Sequence, residues 1–313
     1  MSARCSLIVN GKAVRVSTGD TPVEAALAEG MIAPLQALHG TGLLGQGPGA
    51  AVRRIKARRP RAADALKLVL PNAGAPIVEA EARRLPSATR KGTLTGIRVL
   101  GPHVVEAVVT LEKRLALEPG HQVAISFEGL APLTWTPSLR VDGSAELNEA
   151  VFHCPRDEDG VSLVESIGLG VEVKLKGPLG RGQYRQGGGR LVLVGGESGF
   201  GAIWAIAHAA RYIEPAREMT VIVGARDARD LYMRESLDWL RRTGVARIVM
   251  VAERGRQRPP DVRPGPLTAH LPALRATDVV HVSGAATTLG AVQVLAASVG
   301  ARCYPIPVDP TNR

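Results

Sequence analysis

Apolar and polar positions change their spacing along the chain, and these changes divide it into three parts. Near the N-terminus, residues 6–16 form two short apolar runs around Asn10-Gly11, the pair most typical of a β-hairpin turn. Thr21–Glu29 has helical spacing, and Gly30 follows at its end. A hairpin followed by a helix is how a small β-grasp domain begins, so we expect one here.

The middle of the chain contains short strand-like runs interrupted by glycine and proline, after a segment, Pro86–Gly92, that we interpret as a linker. Closely spaced short strands of this kind predict an antiparallel barrel. The runs are Thr93–Leu100, Val104–Leu111, Gln122–Phe127, Glu146–Cys154 and Val171–Lys176.

From Gly189 onward, apolar strands alternate with helical segments, which predicts a doubly wound parallel sheet with ligands at the carboxyl ends of its strands. Its first strand is followed by a glycine-rich turn and a helix start, where free N–H groups suit a phosphate. A tight turn without a ligand is the alternative. The predicted strands are Leu191–Val194, Met219–Val223, Ile248–Val251 and Val279–Val282, with helices near 200–212, 230–243 and 287–299.

Composition narrows the classes of function. The formal net charge is +10, yet aromatic residues make up only 3%, so stacking platforms for bases are scarce and no specific nucleic-acid partner is expected. No apolar run is long enough to span a membrane, and a signal-peptide layout is lacking, so we expect a cytoplasmic location. The basic run Arg53–Arg61 is either a solvated segment or a docking site for an acidic protein.

Metal and hydrolase chemistry have little support in the sequence. The three cysteines (Cys5, Cys154 and Cys303) have no metal-ligand spacing, and the seven histidines form no two-histidine motif. No serine lies in a G-x-S-x-G elbow. We therefore expect neither a protein-bound metal ion nor a serine hydrolase.

The opening segment resembles a plant-type 2Fe–2S ferredoxin domain, with the loop His39–Gly49 where that family carries its cluster cysteines. The family spacing C-x4-C-x2-C falls on His39, Leu44 and Gly47, and the fourth position falls near Lys67. None of these side chains supplies a thiolate. The resemblance therefore implies a degenerate domain that binds no iron–sulfur cluster.

The middle segment resembles the flavin barrel of the ferredoxin–NAD(P) reductase family, and especially the reductase components of oxygenase systems. Leu117–Ile125 and Lys176–Gly180 followed by Tyr184 carry this likeness. In that family an R-x-Y-S/T motif holds FAD through an arginine, a tyrosine and a hydroxyl. A second segment, a glycine before a hydroxyl residue at a helix start, contacts the flavin phosphates.

Laid on this chain, the flavin motif falls on Leu133–Ser138, with Leu133 in place of the arginine. A leucine cannot pair with a diphosphate, which argues against FAD. Trp135 either stacks on a flavin or simply fills core space. The second flavin segment falls on Gly160-Val161-Ser162, and the strand before that segment carries Phe152-His153-Cys154 where a basic residue is expected. The residues implied for a flavin, if one is retained, are Trp135, Thr136, Ser138, Gly160 and Ser162.

The last segment resembles the nicotinamide domain of the same family. The turn after its first strand matches G-G-x-S/T-G-x-x-P, with an added carboxylate at Glu197, and Gly224–Tyr232 matches G-x-R…D-L-Y. Arg226 either clamps an adenosine phosphate or pairs with Asp227 or Asp230. Ser283 replaces the family's cysteine. The residues implied for NAD(P), if it is retained, are Gly195, Gly196, Ser198, Gly199, Arg226, Ser283 and Gly284.

The expected architecture is therefore multidomain, α+β and α/β. It has a degenerate ferredoxin-like β-grasp domain (1–88), a flavin-type antiparallel β-barrel (89–188) and a doubly wound nucleotide-type domain (189–313). Because the cluster and flavin groups have drifted most, the first functional hypothesis is a pseudoenzyme acting as an accessory subunit of an oxygenase or electron-transfer system. The alternatives are a cluster-free NAD(P)H-dependent flavin reductase and an NAD(P)-sensing module. A protein partner is expected in the first case.

Overall fold

The structure is a computed structural model that describes residues 5–9, 12–16, 85–157, 159–255 and 258–308. The chain forms two compact units, Met1–Ala75 and Pro76–Arg313. In the first unit, strands β1 (Cys5–Val9) and β2 (Lys12–Val16) pair antiparallel, which confirms the predicted hairpin strands. Asn10-Gly11, the helix 21–29, the loop 39–49 and the basic run 53–61 lie outside the described residues.

The second unit begins with a six-stranded antiparallel sheet in the order β6-β5-β8-β3-β4-β7. A bridge between Ser138 and Val151 of β7 follows directly after β6, so the two sheet edges approach each other. The predicted antiparallel barrel is thereby confirmed. The strands are β3 (Ala88–Gly101), β4 (Val104–Leu111), β5 (Gln122–Phe127), β6 (Leu133–Trp135), β7 (Glu149–Pro155) and β8 (Glu172–Leu179), and a short helix α1 (Leu163–Ile167) precedes β8.

The interpretation of Pro86–Gly92 as a linker was wrong. β3 begins at Ala88, which pairs with Gly177 of β8, and the ladder continues to Thr93. The polar residues of this stretch alternate outward, while Gly92 is buried against β4, where a Cβ would lie 2.6 Å from the Thr110 carbonyl oxygen. A strand with one polar face and a glycine on the other resembles a linker in composition.

The rest of the second unit is a parallel six-stranded sheet in the order β12-β11-β10-β9-β13-β14, flanked by helices. This confirms the doubly wound prediction, although β12 and β14 were missed. The elements are β9 (Leu191–Gly196), α2 (Phe200–Ile213), β10 (Met219–Ala225), α3 (Arg234–Arg242), β11 (Arg247–Ala252), β12 (Val262–Pro264), β13 (Val279–Gly284), α4 (Ala286–Ser298) and β14 (Arg302–Pro307). None of the helices in the described ranges is long and apolar enough to cross a membrane.

The two sheets have separate cores. Inside the barrel, Leu94, Val123, Ile125 and Leu175 are fully buried. In the parallel sheet, Leu191–Val194 are buried on both faces, since alternate residues pack toward α2 and toward α4. A covered parallel strand of this kind explains the continuous apolar run in the sequence.

Gly199 offers a test of this packing. A Cβ at this position would lie 2.7 Å from the Gly284 backbone nitrogen and from the Ser283 carbonyl carbon, so Gly199→Ala forces two backbone segments apart. We expect a loss of about 1–3 kcal/mol in unfolding free energy, measured by urea denaturation.

The matched control is Gly290→Ala on the exposed side of α4, where no atom lies within 4 Å of the added Cβ. There we expect a gain of about 0.5–1 kcal/mol from helix propensity. Equal effects of the two substitutions would contradict the close approach of these backbones.

Candidate functional site

A narrow cleft lies between the barrel and the carboxyl edge of the parallel sheet; its space, counted together with the open solvent at its mouth, is about 410 Å³. One wall comes from β6 and β7, and the other from the turn after β9 and the ends of β13 and β14. The lining residues are Thr134, Trp135, Thr136, Phe152, His153, Cys154, Pro155, Ser198, Gly199, Gly201, Ala202, Ser283, Pro307 and Val308. None of these side chains is an acid, lysine or arginine.

The turn after β9 forms one wall of the cleft, and the lack of a side chain at Gly199 allows a close backbone contact there. Glu197–Gly199 form a single 3-10 turn that leads directly into α2. Gly199 lies against the Ser283–Gly284 backbone, which allows β9 and β13 to bring Ser198 and Ser283 into one cleft. Six of the predicted nucleotide residues therefore meet at the ends of two adjacent strands: Gly195, Gly196, Ser198, Gly199, Ser283 and Gly284.

Arg226, the seventh, follows β10 at the same edge of the sheet. Its Nε lies 4.0 Å from Oε1 of Glu197, whose backbone adopts a positive φ of 51°. The added carboxylate of Glu197 thus pairs with the arginine implied for a phosphate. Both side chains are about 40% exposed, so the pair contributes little stability.

Trp135 lies in the barrel core and reaches the cleft only at its margin. It is 6% exposed, and its ring meets Phe127 and Phe152 edge-on at centroid distances of 5.8 and 5.4 Å. Strand pairing sets Trp135 opposite Val123 and Leu133 opposite Ile125. Because Val123 and Ile125 are core residues, Leu133 and Trp135 share the inner face. This packing supports the core-filling interpretation of Trp135.

Of the other residues implied for a flavin, Thr136 lines the cleft, whereas Ser138 and the loop of Gly160 and Ser162 are bonded within the chain. The Ser138 hydroxyl donates to the Gly201 carbonyl oxygen at 2.7 Å and joins the barrel to the start of α2. In the loop before α1, the amide of Val161 donates to Asp157 at 2.8 Å, and that of Ser162 donates to Glu165 at 2.9 Å. Gly160 and Ser162 lie outside the residues that line the cleft.

The arginines that could replace the missing one at Leu133 are also engaged. Arg140 pairs with Glu149 at 2.7 Å. The Arg185 guanidinium lies over the Tyr304 ring, 4.8 Å from its centroid. Neither Arg140 nor Arg185 lines the cleft.

His153 is a residue whose role the sequence did not reveal. Its Nε2 lies 3.0 Å from the Leu139 carbonyl oxygen, and its Nδ1 lies 3.0 Å from the Tyr232 hydroxyl. A carbonyl oxygen only accepts, so Nε2 carries the proton and Nδ1 accepts from Tyr232. Burial lowers the pKa of His153 to about 4. The histidine at the basic position is therefore neutral near pH 7.

Two polar atoms at the cleft have no hydrogen-bond partner among the described residues. They are Nε1 of Trp135 and the hydroxyl oxygen of Ser283, which is 1% exposed. Buried polar atoms are nearly always paired with protein, water or ligand. The cleft thus has uncharged walls, which suit a flat, uncharged ring, and two of its lining residues carry a buried polar atom without a partner.

No protein-family profile and no curated protein sequence matches the chain. Among solved structures, the chain is similar to the cytochrome P450 reductase GcoB from Amycolatopsis, with 24% identity over 73% of this chain and 72% of that one, and a TM-score of 0.62. The ferredoxin reductase in carbazole 1,9a-dioxygenase shares 18% identity over 71% and 70% of the two chains, with a TM-score of 0.59.

A third similar structure is the flavohem-like FAD/NAD-binding domain of nitric oxide dioxygenase from Vibrio cholerae. It shares 17% identity over 70% of this chain and 98% of that one, with a TM-score of 0.59. This chain has the ferredoxin reductase fold. The fold resemblance inferred from the glycine and strand motifs is confirmed, and the site residues are assigned below as a proposal.

The unpaired hydroxyl of Ser283 gives a stability test. Ser283→Ala removes no hydrogen bond, so we expect the unfolding free energy to stay within about 0.5 kcal/mol of wild type or to rise. Ser236 is equally buried, but its hydroxyl donates to the Val141 carbonyl oxygen at 2.7 Å. Ser236→Ala should therefore cost about 1–3 kcal/mol in the same urea titration. Equal costs would show that Ser283 is bonded in the folded protein.

Buried histidines make stability depend on pH. Burial lowers the pKa of His153 and His208 to about 4, and that of His281 to about 3, from an ordinary 6.5. Between pH 6.5 and 4 the unfolded chain binds protons that the folded chain excludes, so the unfolding free energy falls as pH falls. The slope is about 1.4 kcal/mol per pH unit for each histidine. Urea titrations across this range should show the fall, and a flat profile would contradict it.

Proposed function

We propose that this protein is a cluster-free NAD(P)H-dependent flavin reductase that takes flavin from solution as an exchangeable substrate. The proposal rests on the uncharged cleft at the junction of barrel and parallel sheet, where the lining residue Ser283 has a hydroxyl with no partner among the described residues. A hydroxyl suits the edge of an isoalloxazine or nicotinamide ring, whose polar atoms are neutral donors and acceptors.

The contacts in the loop before α1 argue against FAD as a resident cofactor. Its amides at Val161 and Ser162 already donate to carboxylates, and Glu165 forms a two-bond ion pair with Arg156. A diphosphate bound at this loop would lie beside the carboxylates of Asp157 and Glu165, which repel it. The nearby cation, Arg156, is already paired with Glu165. The residues do not fit a diphosphate, which is why we propose binding through the ring alone.

In the proposed reaction, a hydride passes from NAD(P)H to the flavin, and solvent supplies the accompanying proton. The chain positions the two rings and excludes water from them. Ser198 and Ser283 orient a ring edge by hydrogen bonds, and Thr136 lies on the opposite wall. The seven predicted nucleotide residues, Arg226 among them, form the nicotinamide side. The predicted loss of the iron–sulfur cluster concerns residues 39–67 and rests on their ligand chemistry.

A second candidate is a redox-inactive accessory subunit of an oxygenase or electron-transfer system. It is favoured by the internal bonding of Ser138 to Gly201 and the burial of Trp135. The Ser138 hydroxyl and the Trp135 ring are groups that a bound flavin would contact, and both are already engaged within the protein. In that case the partner is an oxygenase component or another subunit, since the similar structures include reductases of such systems.

NAD(P)H oxidation by the purified protein distinguishes the candidates. We expect NADH or NADPH to be consumed only when flavin is added, with similar KM values for riboflavin, FMN and FAD, because the phosphates are not clamped. Ser283→Ala should raise the flavin KM about fivefold, the equivalent of one neutral hydrogen bond. Ser298→Ala on the exposed side of α4 is the matched control and should leave KM unchanged.

Three results would contradict the proposal. Flavin that copurifies in stoichiometric amount would show a resident cofactor. Absence of turnover with every flavin, together with no flavin binding by calorimetry, would favour the accessory subunit. Heat on mixing with NAD(P)H alone, without turnover, would favour a nucleotide sensor.

A further inference from the structure

Five of the chain's few aromatic side chains form a single row through the second unit. The sequence has only three tryptophans, four tyrosines and three phenylalanines. The row runs from Tyr232 to Phe200 (5.9 Å between ring centroids), Trp204 (6.4 Å), Trp239 (5.5 Å) and Tyr212 (6.0 Å). Neighbouring rings of the row lie no more than 6.4 Å apart between centroids.

The two ends of the row lie in different surroundings. Tyr212 is 50% exposed on the outer side of α2, and Trp239 of α3 is partly buried beside it. Tyr232 ends the row next to His153, a residue of the cleft wall. The row therefore connects solvent with the cleft.

Tyr232 has a proton acceptor already in place. Its hydroxyl donates to the neutral Nδ1 of His153 at 3.0 Å, since Nε2 of that ring is the donor to Leu139. Burial raises the pKa of Tyr232 well above its ordinary value, so the phenol is protonated at neutral pH. A phenol is difficult to oxidise unless its proton leaves with the electron, and a hydrogen-bonded imidazole can accept that proton.

We propose that Tyr232, with His153 as its proton acceptor, is a redox-active tyrosine that exchanges single electrons with the protein surface through Trp204 and Trp239. The reactant is a one-electron oxidant in contact with Tyr212 or Trp239. Packing alone needs neither the Tyr232 hydroxyl nor its imidazole partner, because phenylalanine would fill the same space.

One electron and one proton leave Tyr232 in different directions. The oxidant gains one electron from Trp239, and Trp239 regains one from Trp204. Trp204 is refilled across the Phe200 ring by Tyr232, which loses one electron in total. The phenolic proton moves along the existing hydrogen bond to His153 Nδ1. The products are a neutral tyrosyl radical, an imidazolium and the reduced oxidant.

This inference goes beyond the flavin reductase proposal and can fail or succeed independently of it. The oxidant reaches the outer end of the row from solution, so no flavin needs to occupy the cleft. A protein without flavin turnover could still form the tyrosyl radical, and a protein without the radical could still reduce flavin.

The test uses the full-length protein and ruthenium(III) tris-bipyridine, generated by a light flash with persulfate as the electron acceptor. Transient absorption and freeze-quench paramagnetic resonance follow the tyrosyl radical. We expect a long-lived radical in wild type that is lost in Tyr232→Phe and kept in Tyr304→Phe, the matched control outside the row. Trp239→Phe should lower its yield. Formation should be slower in D2O, because a proton moves with the electron.

His153→Asn separates a redox role from a structural one. It keeps every ring of the row but removes the imidazole acceptor, so the long-lived radical should be lost although Tyr232 remains. Near-ultraviolet circular dichroism establishes that each variant is folded, and the D2O comparison on wild type gives a test that needs no variant. A radical of wild-type yield and lifetime in Tyr232→Phe, or equal rates of formation in H2O and D2O, would overturn the proposal.

Discussion

The close approach of two backbones, at Gly199 and at Ser283–Gly284, is the constraint on which the rest of the second unit depends. No side chain fits between them, since a Cβ at Gly199 would lie 2.7 Å from its neighbours. This contact fixes where α2 begins, and the start of α2 in turn accepts the Ser138 hydrogen bond from the barrel. The cleft is the space left between these fixed parts.

What surrounds that space differs from what the sequence resemblance implied. The walls are uncharged, and the groups implied for phosphates make contacts within the chain: Arg226 pairs with Glu197, and the amides of Val161 and Ser162 donate to Asp157 and Glu165. Fold and site depend on different residues, so the shared fold does not by itself fix the ligand.

The parts that could be predicted from sequence are those set by local pattern. The turn after β9 has its glycines and apolar strand in one stretch, so its structure and its place at the sheet edge followed directly. The orientation of the Trp135 ring could not be predicted, because the pairing of β6 with β5 decides which face of the sheet the ring takes. A shift of one residue in that pairing would place the ring on the opposite face. The contact of His153 with Tyr232 joins residues 79 positions apart in the chain and has no local signal. Similarly, the polar outer face of β3 gives the start of this central strand the composition of a linker, so the sequence alone did not identify it as a strand.

The bridge between Ser138 and Val151 has a consequence for motion. The Ser138 amide donates to the Val151 carbonyl oxygen at 2.7 Å, at the point where the two edges of the barrel meet. The segments joined by this bond carry Thr136 and Phe152, which line the cleft. Any separation of these edges must break that hydrogen bond first. The exchange rate of one backbone proton with solvent deuterium therefore reports how often the barrel opens beside the cleft.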